Sequence, residues 1–477
     1  MTISFSEIPT TRIPGNYVEL NTRLQARGLP ISEAKVILVG QQMGSGSATA
    51  GTLVQIQSDE DAASLFGRGS LLHRMAIGAL TANRYMASLH GIGLGDNVAG
   101  VKAAGTFTFV VGTLTSGTLK VWIGHDYVSI VLAGTENANA IALSVRAALS
   151  AAVDMPIVPT VLANQVTITA IHKGTLGNQL DLATEYTGTG LTVTTVPMAS
   201  GAGDPDPDDA LDVIFSVDAD VIVFPWNDGT NLDKLAAHLT ARSDGVEQRG
   251  AVGVTAKDDT ISALTTITTG QNHPRISYAG LEGTKTWAPE IAAAYAAAIA
   301  GEPDLARPLN DVVLTGIYPP LDATRYTRSE LTTLLANGVA PLIVNANEDV
   351  TICRSIATYY QDDDGQADDT LLDLQTIRVL DFVRKSVKQR FSDRFSQVKI
   401  AAVAHTENTT DTSKIKVEIL DVLMALEGVD YIENVDDNKD DVNVERNANN
   451  TSRVDCKIPS DVVNGLHVLA ARIDLIL

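Results

Sequence analysis

Short apolar runs bounded by glycine alternate with amphipathic stretches along much of this chain. Val36-Ile37-Leu38-Val39, set between Ala34-Lys35 and Gly40, has the pattern of a strand buried on both faces. Leu53-Val54-Gln55-Ile56 predicts a second strand, and Ser58-Asp59-Glu60-Asp61 an acidic helix start. That helix carries Ala62, Leu65 and Phe66 inward and stops at Gly67. The alternation resumes at Asp208, where a helix with Ala210, Leu211 and Ile214 feeds a strand over Asp220 to Pro225. A helix with Leu232, Leu235 and Leu239 and a strand at Ala251 to Val254 follow. Such alternation predicts an α/β core.

Between these parts the pattern changes period. Thr106 to Val110, Leu119 to Ile123, Val166 to Thr169 and Leu191 to Thr194 alternate threonine with large apolar residues, as short strands do. One Ala-rich helix, Ala138 to Ala152, interrupts them, and Gly201-Ala202-Gly203-Asp204-Pro205-Asp206-Pro207 closes the stretch as a linker. Residues 99–203 hold 9 charged residues and 16 threonines in 105 positions, against 19% charged for the whole chain. A β-rich domain inserted into the α/β core explains the shift, and it is expected to be a separable module on the outside of any assembly.

The last hundred residues differ again. A long helix is predicted over Leu371 to Phe395, with Val379, Val383, Val387, Phe391 and Phe395 as its buried stripe. A second helix covers Ser413 to Leu426, and a polar loop from Asp436 to Asn450 leads to an alternating strand over Arg453 to Ile458. Leu466 to Leu477 reads as a strand reaching the last residue, and Pro14 to Leu20 as one near the other terminus.

At roughly 150 residues per domain, 477 residues suggest about three domains. A net charge of −22 opposes a phosphate backbone, so no direct nucleic-acid contact is expected. The most apolar stretch, Glu290 to Ala300, is short and bracketed by polar residues, so no stable membrane insertion is expected either. No secretory leader is read in Met1 to Pro14, and Cys353 and Cys456 form no metal or disulfide pattern.

Catalytic chemistry finds little purchase. Gly44-Ser45-Gly46 follows a strand, but Thr49 stands where a dinucleotide fingerprint needs glycine, and strand rather than helix comes next. Asp436, Asn438 and Asp440 have the first spacings of a calcium loop, yet Asp441 and Asn447 fail its sixth and twelfth positions. The eight histidines are scattered, and no nucleophile elbow occurs. No catalytic, metal or cofactor residue is assigned. One feature breaks the acidic background: Arg384, Lys385, Lys388, Arg390, Arg394 and Lys399 face only Asp381 and Asp393 in sequence. Such a run is a solvated face or a docking face for an acidic partner.

Ile13-Pro14-Gly15-Asn16-Tyr17-Val18-Glu19, Ser64-Leu65-Phe66-Gly67-Arg68-Gly69-Ser70-Leu71-Leu72 and Ile356-Ala357-Thr358-Tyr359-Tyr360, with Asp368-Asp369 and Leu372-Asp373-Leu374 after it, occur in that order. In order and spacing, with the basic helix beyond, they resemble the tail sheath proteins of contractile-tailed bacteriophages, most closely the Mu-like branch. The resemblance implies a non-enzymatic virion subunit, assembled in the host cytoplasm as helically stacked six-fold rings around a tail tube. Contraction would then drive the tube through the host envelope. Its implied partners are further copies of itself, the tail tube protein, and baseplate and tail-terminator proteins. The main alternative is a β-rich adhesin or surface-array protein.

The organisation expected is an N-terminal arm (1–30), a core α/β domain in two parts (31–98 and 204–370), the inserted β-rich outer domain (99–203), an α+β C-terminal domain (371–465) and a C-terminal arm strand (466–477). Tyr17, Val18, Glu19 and Leu20 at one end, and Val468, Leu469, Ala470, Ala471, Arg472 and Ile473 at the other, are the candidates for strand exchange between subunits. The resemblance sets the C-terminal domain against the tube, with Arg384, Lys385 and Lys388, or Lys414 and Lys416, as candidate contacts.

Overall fold

The computed structural model describes residues 29, 34–84, 86, 88–362, 364–406 and 408–475. The predicted buried run forms β1 (Val36–Gln41), every residue of it buried. β2 (Leu53–Gln55) pairs antiparallel with β3 (Leu89–Leu94), and β3 runs parallel to β1. Between β2 and β3 lie α1 (Asp59–Phe66) and α2 (Leu71–Ala82), whose first turns are capped by the hydroxyls of Ser58 and Ser70. The sequence does not announce α2. Leu71 to Ala76 are all buried, so its inward positions run around the helix and leave no one-sided stripe.

The low-charge stretch supplies β4 (Lys102–Val111), β5 (Gly117–Ile123), β6 (Asp126–Leu132), α3 (Ala138–Ala151), β7 (Ile157–Leu162), β8 (Gln165–Lys173), β9 (Leu182–Tyr186) and β10 (Leu191–Ala199). Among the described residues its strands pair only with one another, in antiparallel sheets of order β10-β4-β8-β7 and β6-β5-β9. Phe107, Phe109, Val121, Val166 and Ile168 are buried, as are Ile141, Val145 and Leu149 of α3. The two ends of the stretch meet, with Val101 bridging antiparallel to Ala202.

The core then continues through α4 (Asp208–Ile214), β11 (Val221–Val223), α5 (Gly229–Ser243), β12 (Val252–Asp258), α6 (Ile261–Gln271), β13 (Ile276–Leu281), α7 (Ala288–Gly301), α8 (Arg328–Ala336), β14 (Ala340–Val344) and β15 (Val350–Ile352). The result is an eight-stranded sheet of order β15-β14-β13-β12-β11-β1-β3-β2, parallel except at its two edge strands. The Ala-rich α7 is almost wholly buried and lies close to α2. A Cβ at Gly78 would sit 2.8 Å from the Glu290 carbonyl oxygen. Its apolar length serves a core helix, and no helix among the described residues is long and apolar enough to cross a membrane.

The inserted sheets are anchored to this core by polar groups that are themselves buried. Arg74 of α2 pairs through Nε with Glu290 of α7 at 2.6 Å and through a terminal nitrogen with Asp126 of β6 at 2.7 Å. The side chains of Arg74 and Glu290 are only 6% and 5% exposed, and His125 Nδ1 lies 3.3 Å from the same Glu290. Lys285 Nζ stands 4.0 Å from the centroid of the Trp122 ring, and Trp287 donates its indole N–H to the Leu176 carbonyl at 3.0 Å. The insertion is thus self-paired in its strands and also keyed into the core.

Residues 382–463 form a second compact unit. It contains the later turns of α9 (Leu374–Phe395), the short pair β16 (Lys399–Ile400) and β17 (Thr409–Thr410), and α10 (Thr412–Glu427), with Asp411 as N-cap. After β18 (Ile432–Glu433) and α11 (Val435–Asn438) comes a hairpin of β19 (Asn443–Arg446) and β20 (Val454–Lys457), and β21 (Asp461–Val462) pairs back to β18. The predicted polar loop thus hides a strand. Asn443-Val444-Glu445-Arg446 shows one apolar residue, too few to signal a strand, and its pairing with β20 makes it one. On α9, Val379, Val383 and Val387 are buried as predicted, whereas Phe391 and Phe395 are only half-buried.

Candidate assembly surfaces

The carboxyl ends of β1 and its neighbours are where doubly wound folds hold ligands. Here the chain itself fills that place. Gln41, the last residue of β1, donates to Asp96 Oδ1 and to the Lys173 carbonyl, both at 2.8 Å. His172 Nδ1 meets the same Asp96 oxygen at 2.7 Å. A 3-10 turn over Thr175–Gln179 lies beside them, its Gln179 amide paired with Asn227 just beyond β11. The Gly44-Ser45-Gly46 loop is equally committed. Met43, Gly46, Ser47 and Ala48 spend their N–H groups on carbonyls of their own chain, three of them at the carboxyl end of α1. A phosphate needs free N–H groups at a helix N-terminus, which this loop does not offer.

The C-terminal segment is the opposite case. Beyond Val462 no described residue belongs to a strand, and residues 468–475 are all exposed. Val468, Leu469, Ile473 and Leu475 stand at 80%, 83%, 95% and 83% exposure. Ala470 and Ala471 are exposed as well, and Arg472 pairs with nearby Asp474 at 2.7 Å. A strand needs a ladder partner, and among the described residues this segment has none, so the predicted strand is not formed there. The candidates Tyr17, Val18, Glu19 and Leu20 lie outside the described residues.

The basic run is dispersed. Arg390 is buried and turned onto α10, 2.9 Å from Glu418 Oε2 and 2.5 Å from Asp421 Oδ2. Arg394 Nε lies 3.6 Å from the same Glu418. Arg384 and Lys385 are half-buried, each already engaged by other groups, while Lys388 is exposed. On α10 Lys414 is exposed and Lys416 half-buried, and Val417 and Met424 are exposed on the same helix at 63% and 49%. Sequence reasoning missed the inward turn of Arg390, because its acidic partners lie 28 and 31 residues away.

Among the described residues no group of three or more His, Cys, Asp or Glu side chains is arranged to hold a metal ion. One carboxyl is nonetheless unusual. Burial at the end of β12, with Asp181, Asp259 and Glu282 nearby, pushes Asp258 up to about 7, although it accepts the Gly283 N–H at 2.7 Å.

Comparison with known proteins bears directly on these surfaces. Residues 200–358 match the phage tail sheath protein central domain, and residues 366–476 the phage tail sheath C-terminal domain. The inserted sheets fall almost entirely before the first match. The Mu-like prophage FluMu tail sheath protein of Haemophilus influenzae is 30% identical over 491 residues, covering 100% of both chains. The crystal structure of a sheath tail protein from Desulfitobacterium hafniense shares the fold, with a TM-score of 0.52 at 16% identity over 95% of this chain and 97% of that one. The anti-feeding prophage helical sheath in its contracted state gives a TM-score of 0.49 at 12% identity, over 98% and 99% of the two chains. With a full-length relative and two family domains in sequence, the chain belongs to the phage tail sheath family, structural proteins of contractile bacteriophage tails.

Proposed function

We propose that this chain is the repeating subunit of a contractile sheath, stacked as six-fold rings around a tail tube between baseplate and tail terminator. Assembled in the host cytoplasm, the sheath stores energy in an extended lattice. Release into a lower-energy packing drives the tube through the host envelope for genome delivery. No catalytic residue is needed for that cycle.

The observation that carries this reading is the exposed apolar segment 468–475. Burying each of its four large apolar side chains on a neighbour contributes roughly 1.5–3 kcal/mol before ordering costs. Backbone hydrogen bonds to an open strand edge add direction. The β19–β20 hairpin, which pairs with no third strand among the described residues, offers such edges. The tube contact falls to the 382–463 unit, with Lys388 and Lys414 as the exposed cations for an acidic tube surface. Contacts of that kind are weak enough to release when the sheath moves.

Negative-stain microscopy of the purified protein tests the reading. The full chain forms tubes of stacked rings, and a chain lacking residues 466–477 stays soluble, folded and unpolymerised. Long tubes from the truncated chain would refute the role given to this segment.

A further inference from the structure

The C-terminal segment has one fixed point. Leu466 and Val468 are 72% and 80% exposed, yet the His467 side chain between them is only 12% exposed. Its Nδ1 lies 3.1 Å from Asn310 Nδ2, and its Nε2 stands 3.4 Å from Asp373 Oδ1. Nδ1 also lies 3.3 Å from Asn310 Oδ1, so one ring nitrogen faces the amide and the other the carboxylate. The receptor is rigid: Arg354 grips Asp373 through Nε and a terminal nitrogen at 2.8 and 2.7 Å, and Asp373 bridges to Ile356. Two residues earlier the backbone passes so close that a Cβ on Gly465 would stand 3.3 Å from Pro308 Cβ and 3.1 Å from the imidazole.

We infer that His467 is a positioning residue: it clips the root of the C-terminal arm to the core, so that the free arm begins at Val468. The inference rests on the reading of this segment as an arm that joins a neighbour. With the clip closed, the ten residues 468–477 reach at most about 33–36 Å. With it open, the tether starts after Val463, whose N–H is held by the Tyr431 carbonyl, and fourteen residues reach about 46–50 Å. A longer tether dilutes the arm at its proper acceptor and brings further subunits within range. The clip therefore favours the proper neighbour twice over, by concentrating the arm at its acceptor and by keeping other subunits out of range.

A nitroxide on Leu469→Cys, in full-length protein carrying Cys353→Ser and Cys456→Ser and kept unassembled by dilution, reads the clip directly. His467→Ala and, independently, Asn310→Ala shorten the label's correlation time by at least about twofold. A label on Arg472→Cys, farther along the arm, changes little. His467→Gln, which keeps a donor and an acceptor, restores part of the immobilisation. The His467→Ala chain then polymerises with disordered ring stacking, whereas the chain lacking residues 466–477 does not polymerise. Identical Leu469 spectra in the parent and His467→Ala chains overturn the clip. A freed label with unchanged lattice order overturns its positioning role. Polymerisation of the truncated chain overturns the arm itself, a separate failure.

Discussion

At the junction of insertion and core, charged groups are buried and paired; along the C-terminal segment, apolar groups stand in water. Arg74, Glu290 and Asp126 belong to elements far apart in sequence, and each supplies the charge that another needs. Val468, Leu469, Ile473 and Leu475 find nothing among the described residues to cover them. Desolvating an ion pair is costly, and breaking one that is already buried costs more. Such a contact suits a joint that must stay closed. Exposed apolar side chains suit a joint that has yet to be made, since a second molecule completes it. On the proposed function, the surface that looks wrong for a monomer is the one addressed to other subunits.

The largest effect should come from breaking the buried joint. Arg74→Ala leaves Glu290 buried beside a half-buried histidine, and urea unfolding should show a loss of about 3–5 kcal/mol. Asp126→Asn, at a position one-third exposed, should cost about 1 kcal/mol. Replacing residues 99–203 by a Gly/Ser linker removes Asp126 and the carbonyl that caps Trp287. That variant should unfold earlier and less cooperatively than the parent, and a linker chain as stable as the parent would show that the joint does not matter.

A smaller effect is expected at Asp258, a half-buried carboxyl that, unlike Glu290 with its Arg74, has no ion-pair partner among the described residues. Its folded-state value of about 7 lies above the ordinary carboxylate range, so the folded chain holds a proton that the unfolded chain releases. Stability contributed by this group therefore falls as pH rises from about 4 to 7 and is level above. Asp258→Asn should remove that slope, gaining roughly 2–4 kcal/mol at pH 8 over pH 4 relative to the parent, the upper figure being the full shift from about 4 to about 7. Thermal unfolding across that range measures it, and parallel pH profiles for both chains would contradict the assignment.

The smallest effects belong to the exposed cations. Lys388→Glu and Lys414→Glu should each leave unfolding within about 0.5 kcal/mol of the parent. Each should weaken coating of purified tubes by about 0–1 kcal/mol per subunit, with the loss vanishing at high salt. Normal coating by the double variant at low salt would remove both residues from the tube contact.

Elements whose signal is local were legible in the sequence. The Val36–Val39 run, the Ser58 cap and the Thr-alternating strands of the insertion each announce themselves within ten residues. Three things were not. α2 is buried around most of its circumference, so periodicity says nothing about it. β19 is a strand only because β20 returns to it. The charged contacts depend on sequence separations such as the 216 residues between Arg74 and Glu290, and among 57 acidic residues no pattern singles out the right pair. His467 was hidden for the same reason. It looked like one of eight scattered histidines until the fold brought Asn310 and Asp373 to it.

The ionic junction between insertion and core also has a mechanical meaning. Apolar contacts resist separation but slide, because their attraction has no preferred direction. The Arg74 guanidinium, held by Glu290 on one side and Asp126 on the other, is directional and short, and it tolerates little shear. Torque applied to the core is thus transmitted to the inserted sheets as through a keyed shaft. If the sheath contracts as proposed, a probe fixed at Val131, 80% exposed on the insertion, would turn with the core and report its rotation.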